Sequence, residues 1–361
     1  MISGLVRAWD NLLGHGEAAV TVPPLDGTLR PNRRLDEATW RVTLEGVDCL
    51  VSVNGDLLAS AGSAVHLLDG ETWRILSEHE AEVACLVALP DGGLALALAT
   101  GDILVKGGSF DGRRYRASTD VRCITAMAAS GADLYIANGS ATNPPDAWQL
   151  DLLQRGASGS VWRIDLAGGE SARVAGDLAW PSGIAADGTS IVVSEAWRHR
   201  LVKIDASGTG RPQVLYADLP AYPGRIAPAW EGYWLAAFAP RTQLVEFVLR
   251  ESVYRRRMIG TVPRSYWIAP TLRAGRSFYE PLQGGGVKHL GLLKPWAPTM
   301  SAGLCIQLDS AFQPRLSLQS RADGATHGVT AVAEHRGRIY AAARGDGVVV
   351  SIALEDLGDE T

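Results

Sequence analysis

A serine, a histidine and a carboxylate occupy equivalent places in a repeated segment of this chain. Six short apolar runs begin alike: VDCLVSV at Val47, VACLVAL at Val83, VRCITAM at Val121, PSGIAAD at Pro181, PGRIAPA at Pro223 and HGVTAVA at His327. Aligned on the residue before the small or thiol position, they place Asp48, Ala84, Arg122, Ser182, Gly224 and His327 in one column. A neutral imidazole is a competent base near pH 7. Ser182, His327 and Asp48 together supply the parts of a nucleophilic triad. Three readings of the column stay open: His327 as base on water or substrate, Ser182 as nucleophile, and a solvated polar ring without chemistry. Arg122, with Arg225 beside Gly224, offers two cations for a ligand carboxylate or phosphate, or simply partners for Asp48 and Glu195. Trp180 and Tyr222 each precede a proline at a segment start, and Trp148 lies in an insertion. Rings so placed suit a flat or cyclic ligand. Trp267 and Trp296, the latter beside Lys294 in KPWAP, lie in a long irregular stretch.

Residues this far apart in sequence meet only if the repeat is structural. Each run is followed by Gly or Asn-Gly and a returning strand, and Cys49, Cys85 and Cys123 recur at separations of 36 and 38. Short strands at roughly 40–50-residue periods mark a β-propeller, which brings one position of every blade around a central channel. The fold expected is all-β: a six-bladed β-propeller over 38–355, preceded by a helix and extended lead-in over 1–37. Trp40 to Leu44 is expected to complete the last blade and close the ring. In blade three, NPPDAWQLDLLQR interrupts the strands and reads as a helix capped by Asp146. Blade five reads as GYWLAAF followed by LVEFVLR. Residues 252–300 form a second excursion, too long for an ordinary loop and of the kind that carries function. GLCIQLD, GVTAVAEH, GRIYAAAR and GVVVSIAL finish the last blades.

Composition narrows the partners. A net charge of -5, with only Arg255, Arg256 and Arg257 clustered, gives no support to nucleic-acid binding. Four cysteines in 361 residues, three of them within strands, read as reduced buried thiols. No stretch has the ~18 apolar residues of a membrane span, and no secretory leader is visible, so a cytoplasmic protein is expected. Ile2, Leu5, Val6, Trp9, Leu12 and Leu13 fall at helical spacing. That helix packs on the body or on a second copy, which makes a homo-oligomer one expected assembly.

One stretch is specific enough to carry a resemblance. DLYIANGS, LDLLQRGASGSVWRID, WPSGIAADGTSIVVSEAWRHRLVKID and YADLPAYPGRIAPAWEGYWLA, in that order, resemble the strictosidine-synthase-like family of six-bladed propellers. That family is related to the gluconolactonase and paraoxonase lactonases. The lead-in PPLDGTLRPNRRL and HGVTAVAEHRGRIYAA extend the likeness to roughly residues 22–354. In metal-dependent lactonases of that superfamily the column holds a cation through a Glu, two Asn and an Asp. By position these correspond to Asp48 (or Glu45), Arg122, Ser182 and Gly224. Ca²⁺ needs six to eight oxygens, several of them anionic, so the resemblance implies a lost metal site with Arg122 in place of the metal's charge. Neither metal nor cofactor is expected. The strictosidine-type reaction needs a Glu two residues after the last-blade His. Here that position is Val329, which removes the proton carrier.

The leading expectation is a metal-independent hydrolase of a small cyclic or aromatic ester, lactone or amide, with His327 as base. A non-catalytic propeller binding a small organic molecule, anionic or aromatic, is the alternative. A strictosidine-type lyase or condensing enzyme is the third reading.

Overall fold

The first hairpin turns at Asn54-Gly55, both residues at positive φ (52° and 81°). That turn geometry matches the right-handed twist of the strands it joins. Asn54 also donates its side-chain amide to Gly92 O at 2.7 Å, fastening blade one to blade two. Repetition of such antiparallel units builds six four-stranded sheets. The computed structural model describes residues 22–276, 280, 288–289, 292–293 and 300–358. The expected N-terminal helix, Lys294 and Trp296 lie outside them.

The inner strands, nearest the channel, are Val47–Val53, Val83–Ala88, Ile124–Ser130, Pro181–Asp187, Ala221–Pro228 and Val329–His335. The ring closes as expected. Trp40–Thr43 pairs with Val348–Ala353 as the outermost strand of blade six, in the register Trp40 to Ser351. Asp36 of the lead-in accepts bonds from Ser320 and Thr326, which holds the closing segment against blades five and six. Between blades the packing is apolar. Leu50, Leu57 and Ala59 of blade one meet Ala331, Tyr340 and Ala342 of blade six, and Trp40 packs edge-on to Tyr340 at 5.4 Å. Burial of this kind, at roughly 25 cal/mol per Å² of apolar surface, is what holds successive sheets together.

Blade five departs from the expected order. LVEFVLR is a helix and not a strand. α2, Gln243–Arg250, is capped by Thr242, whose hydroxyl accepts from Val245 N at 3.2 Å. Val245, Glu246 and Val248 are its buried positions, a one-sided spacing that a strand would split between two faces. α3, Ser252–Thr261, follows, and the blade resumes only at Gly303–Leu308, which pairs with Tyr233–Pro240. The excursion thus sits between the second and third strands of blade five. The blade-three helix α1, Trp148–Gln154, forms as expected, but Asp146 makes no capping bond to it.

Each inner strand bulges by one residue near its start, where the pairing register shifts; in blade five an opposite shift at Tyr222/Pro223 offsets it. The shifts fall at Val47/Cys49, Val83/Cys85, Ile124/Ala126, Pro181/Gly183, Pro223/Ile226 and Val329/Ala331. A bulge bends the strand and re-aims a side chain. Six in a ring direct six positions toward one end of the channel.

Candidate functional site

The bulges define the ring that the repeats were meant to reveal. Its members are Asp48, Ala84, Thr125, Ser182, Gly224 with Arg225, and Thr330. Arg122 and His327 each lie three residues before the true ring positions of their blades. Arg122 is exposed, and its Nε donates to Thr119 O at 3.0 Å. His327 is fully buried, with Nδ1 at 2.8 Å from both Ser301 Oγ and an Arg273 guanidinium nitrogen. Its Nε2 lies 2.7 Å from Arg321 O. Burial first, then the Arg273 charge, pushes its pKa down. The imidazole is a structural hub under the excursion and does not reach the channel mouth.

At the centre of the ring lies Arg225. Its Nε donates to Thr125 O at 3.1 Å, one Nη to Asp48 O at 2.9 Å and Thr330 O at 3.3 Å, and the other to Asp48 Oδ2 at 2.6 Å and Ala84 O at 2.8 Å. Five bonds match the five N–H groups of a guanidinium. Asp48 completes its own coordination through Oδ1, which accepts from Arg344 at 2.9 Å. Arg344 also reaches Glu82 at 3.3 Å. Burial alone would raise the Asp48 pKa, but the Arg225 and Arg344 charges outweigh it and hold the carboxyl below its ordinary value. Burial likewise acts against the Arg225 charge, and Asp48 reverses that effect.

This arrangement does not fit a divalent cation. A Ca²⁺ site needs several anionic oxygens. The ring offers one carboxylate, already shared by two arginines, and the inward carbonyls of Asp48, Ala84, Thr125 and Thr330 are taken by Arg225. The cation at the centre of the ring is therefore Arg225 and not Arg122. Ser182 is equally committed: its hydroxyl donates to Pro223 O at 2.5 Å and lies 3.1 Å from Ser194 Oγ. Ser182, His327 and Asp48 are not brought together as a triad.

Above the guanidinium opens a cavity of about 310 Å³. Its floor is ionic, with Asp48, Glu82, Arg225 and Arg344. Its wall is aromatic and apolar, with Trp148, Trp180, Phe238 and Leu272. Of the residues expected here, Asp48, Ser182, Arg225, Trp180 and Trp148 line it. Tyr222 does not: it is fully buried behind the wall, 5.9 Å from the Phe238 ring and 4.7 Å from His199. The wall is layered. Trp197 stacks on Trp180 at 5.2 Å and on Trp148 at 6.3 Å, both at 27°, and its indole N–H donates to buried Asp151 at 2.8 Å. Trp180 adopts φ 52°. A bulky residue there stores on the order of 1–3 kcal/mol of strain, which persists where surrounding structure over-determines it. That conformation sets the indole against the cavity. Glu195 and His199, at the tip of a hairpin, are both buried. Glu195 is fully enclosed and binds Ala179 N, Arg198 and Arg200, bracing the turn that carries Trp197.

Thr125, Thr330, Glu82, Arg344 and Phe238 are the residues that sequence reasoning missed. For two of them a signal was present. Ile124-Thr125-Ala126-Met127 and Val329-Thr330-Ala331-Val332 match Val47-Asp48-Cys49-Leu50 once Cys123 is not taken as the equivalent of Cys49.

On the other side of Arg225 the channel continues as a second space of about 330 Å³ between the inner strands, with Cys49 and Cys85 on its wall. All four cysteines are free and buried, though Cys123 packs near Trp180 and not in the channel. Among the described residues no cluster of three or more His, Cys, Asp or Glu could hold a metal ion. No helix among them is long and apolar enough to cross a membrane.

Architecture and cavity define a six-bladed β-propeller whose channel mouth is shaped as a pocket. No family model matches the sequence, and no curated protein matches it. Among solved structures the chain is similar to a calcium-binding protein, regucalcin, from Agrobacterium tumefaciens. The two share 13% identity over 89% of this chain and 93% of that one, with a TM-score of 0.50. A nidogen/laminin complex aligns at 13% identity over 54% of this chain and 73% of that one, with a TM-score of 0.42. At such identities the likeness is one of fold, and calcium binding is a property of the regucalcin.

Proposed function

We propose that the channel-mouth cavity binds a small, flat or cyclic organic molecule. The observation that carries this reading is the wall of Trp148, Trp180 and Phe238, stiffened from behind by Trp197, facing a fixed ionic floor. A ring laid on that wall gains stacking and apolar burial. A volume of about 310 Å³ lies at the small end of ligand sites, which span roughly 300–1,000 Å³. The polar end of the ligand meets the floor. Arg225 has no N–H to spare, so Arg344, with its side chain 38% exposed, is the group that answers a carboxylate or carbonyl.

Hydrolysis of a lactone or ester is the second reading, in a reduced form. His327 does not line the cavity, and both its ring nitrogens are engaged elsewhere, so it is not the base. Glu82 lines the cavity as a half-exposed carboxylate paired with Arg344, and this pair is the observation that keeps the reading alive. A strictosidine-type condensation lacks its acid, because fully buried Val329 stands where the Glu would be.

A thermal-shift screen with lactones, aryl carboxylates, aryl esters and amines tests both readings. A ligand that binds only the folded chain raises the midpoint by mass action. The expected hit carries a ring, and Trp148→Ala removes at least tenfold of its affinity. Turnover of a hit, abolished by Glu82→Gln, selects the hydrolase. A hit whose affinity is unchanged by Trp148→Ala and by Arg344→Ala sinks the placement of the site.

A further inference from the structure

We propose that Arg225 is the resident axial cation of this propeller, a tethered guanidinium that locks the ring where a closed set of carbonyls would otherwise need a bound ion. It reaches blade one through Asp48, blade two through Ala84, blade three through Thr125 and blade six through Thr330, and it belongs to blade five. Inner-strand edges cannot pair with one another across a channel, so the oxygens they turn inward need donors. One planar fork satisfies them from a single point, and Asp48 balances its charge at 2.6 Å.

The sequence is built around that one side chain. Arg225 directly precedes Ile226, as Cys49 precedes Leu50, Cys85 precedes Leu86, Ala126 precedes Met127, Gly183 precedes Ile184 and Ala331 precedes Val332. Five blades thus put a small residue at the position where the sixth puts arginine. The Gly183 site shows how close the fit is: a Cβ there would stand 2.2 Å from Gly224 O and 2.9 Å from the Arg225 Cα. At that position any side chain is excluded by the blade-five backbone that carries Arg225. The five small residues are the socket and Arg225 is the pin.

A tethered cation differs from a bound one in a measurable way. It cannot be removed by chelation, and truncating its side chain should leave a socket selective for free cations of the same shape. Arg225→Ala is expected to lower the unfolding midpoint by roughly 4–7 °C, because it breaks the buried pair with Asp48 and removes the guanidinium donor from the carbonyls of Ala84, Thr125 and Thr330. Millimolar methylguanidinium then raises the variant's midpoint, by about 2 °C at ten times its dissociation constant, and leaves the wild type unchanged. Methylurea, its neutral near-isostere, does not. Equal rescue by both probes would mean a cavity being filled and overturn the charge role. No rescue by methylguanidinium, or a variant as stable as wild type, overturns the proposal outright. Arg225→Lys keeps the charge but not the planar fork and guards against an alanine variant that fails to fold. Its midpoint is expected at least about 2 °C below wild type, and equality with wild type would also overturn the proposal.

Discussion

Replacing Asp48 with asparagine removes one charge from the axis and changes almost no volume. In the wild type both carboxylate oxygens are engaged, at 2.6 Å to Arg225 and 2.9 Å to Arg344, with the residue 8% exposed. The amide leaves the Asp48 backbone oxygen on Arg225, but it turns one acceptor into a donor facing a guanidinium and strands a buried positive charge. Breaking one side of a buried pair costs about 3–5 kcal/mol. With an unfolding entropy of about 2.1 cal/mol/K per residue, a chain of 361 residues loses about 1.3 °C of midpoint per kcal/mol, giving about 4–7 °C at neutral pH. The pH dependence has a definite sign. The Asp48 carboxyl titrates below its ordinary 3.8 in the folded chain, so the unfolded chain binds the proton first. Its contribution is complete above that unfolded value and is lost as pH falls through the folded one. Urea unfolding from pH 7 down to pH 2.5 should therefore give Asp48→Asn a shallower acid limb than wild type, by up to about 1.4 kcal/mol per pH unit. Parallel limbs, or a neutral-pH midpoint within a degree of wild type, would refute the claim that Asp48 is the counter-charge of Arg225.

His327→Ala should act on stability. The change removes one bond each from Arg273, Ser301 and Arg321 O and leaves a cavity at a fully buried site, a loss of about 2–4 kcal/mol, while affinity for any cavity ligand stays within threefold. Because burial and Arg273 hold the imidazole below its ordinary 6.5, its share of stability is present above pH 6.5 and fades as pH drops through the folded value. Wild type should thus lose stability between pH 6.5 and 5 more steeply than His327→Gln, as read by urea midpoints. For the thiols, burial drives Cys123 up to about 12 and Cys49 and Cys85 upward as well, so native labelling by a maleimide at pH 8 should be slow at all three. Stoichiometric reaction within minutes would contradict the packing described here.

The fold was legible because propellers write their period into the chain: six similar strand starts, glycine turns and a closing strand. Those signals depend on local geometry alone. The site was harder, and the errors have a physical origin. Cys123 matched Cys49 and Cys85 by residue type, yet it packs among Leu152, Trp180 and Tyr222, three residues before the equivalent position at Ala126. Aligning on the thiol moved the blade-three ring residue from Thr125 to Arg122. In blade six, Gly328 played the same part and moved it from Thr330 to His327. Strand side chains alternate with a period of two, so an odd slip of this kind turns every side chain to the opposite face. LVEFVLR failed for another reason. Its apolar residues suit a strand as well as a helix over seven positions, and the Thr242 cap was the only local evidence for the helix. Glu82, Arg344 and Phe238 carry no periodic signal, because they enter the site from strand ends and second strands whose approach is set by the ring as a whole.

The division of labour around the cavity bears on what it can select. Arginine and aspartate near a pocket invite the reading that they bind the ligand, yet here Asp48 and Arg225 spend their hydrogen-bonding capacity on the protein itself. Polar groups already satisfied give a ligand little enthalpy, because any new bond must displace an existing one. Discrimination therefore falls to shape and to the rings. Trp197 is braced by Asp151 and by the turn that Glu195 holds, and Trp180 keeps a backbone conformation that costs energy. A wall held this rigidly has its ordering cost met at folding, so a planar ligand gains the stacking without immobilising the side chains it stacks on. The parts of the chain outside the repeat, α1 with Trp148 and the excursion with Leu272, lean on that same wall. The insertions thus add Trp148 and Leu272 to a wall that blades four and five begin with Trp180, Trp197 and Phe238, and together they make the channel mouth a one-sided pocket.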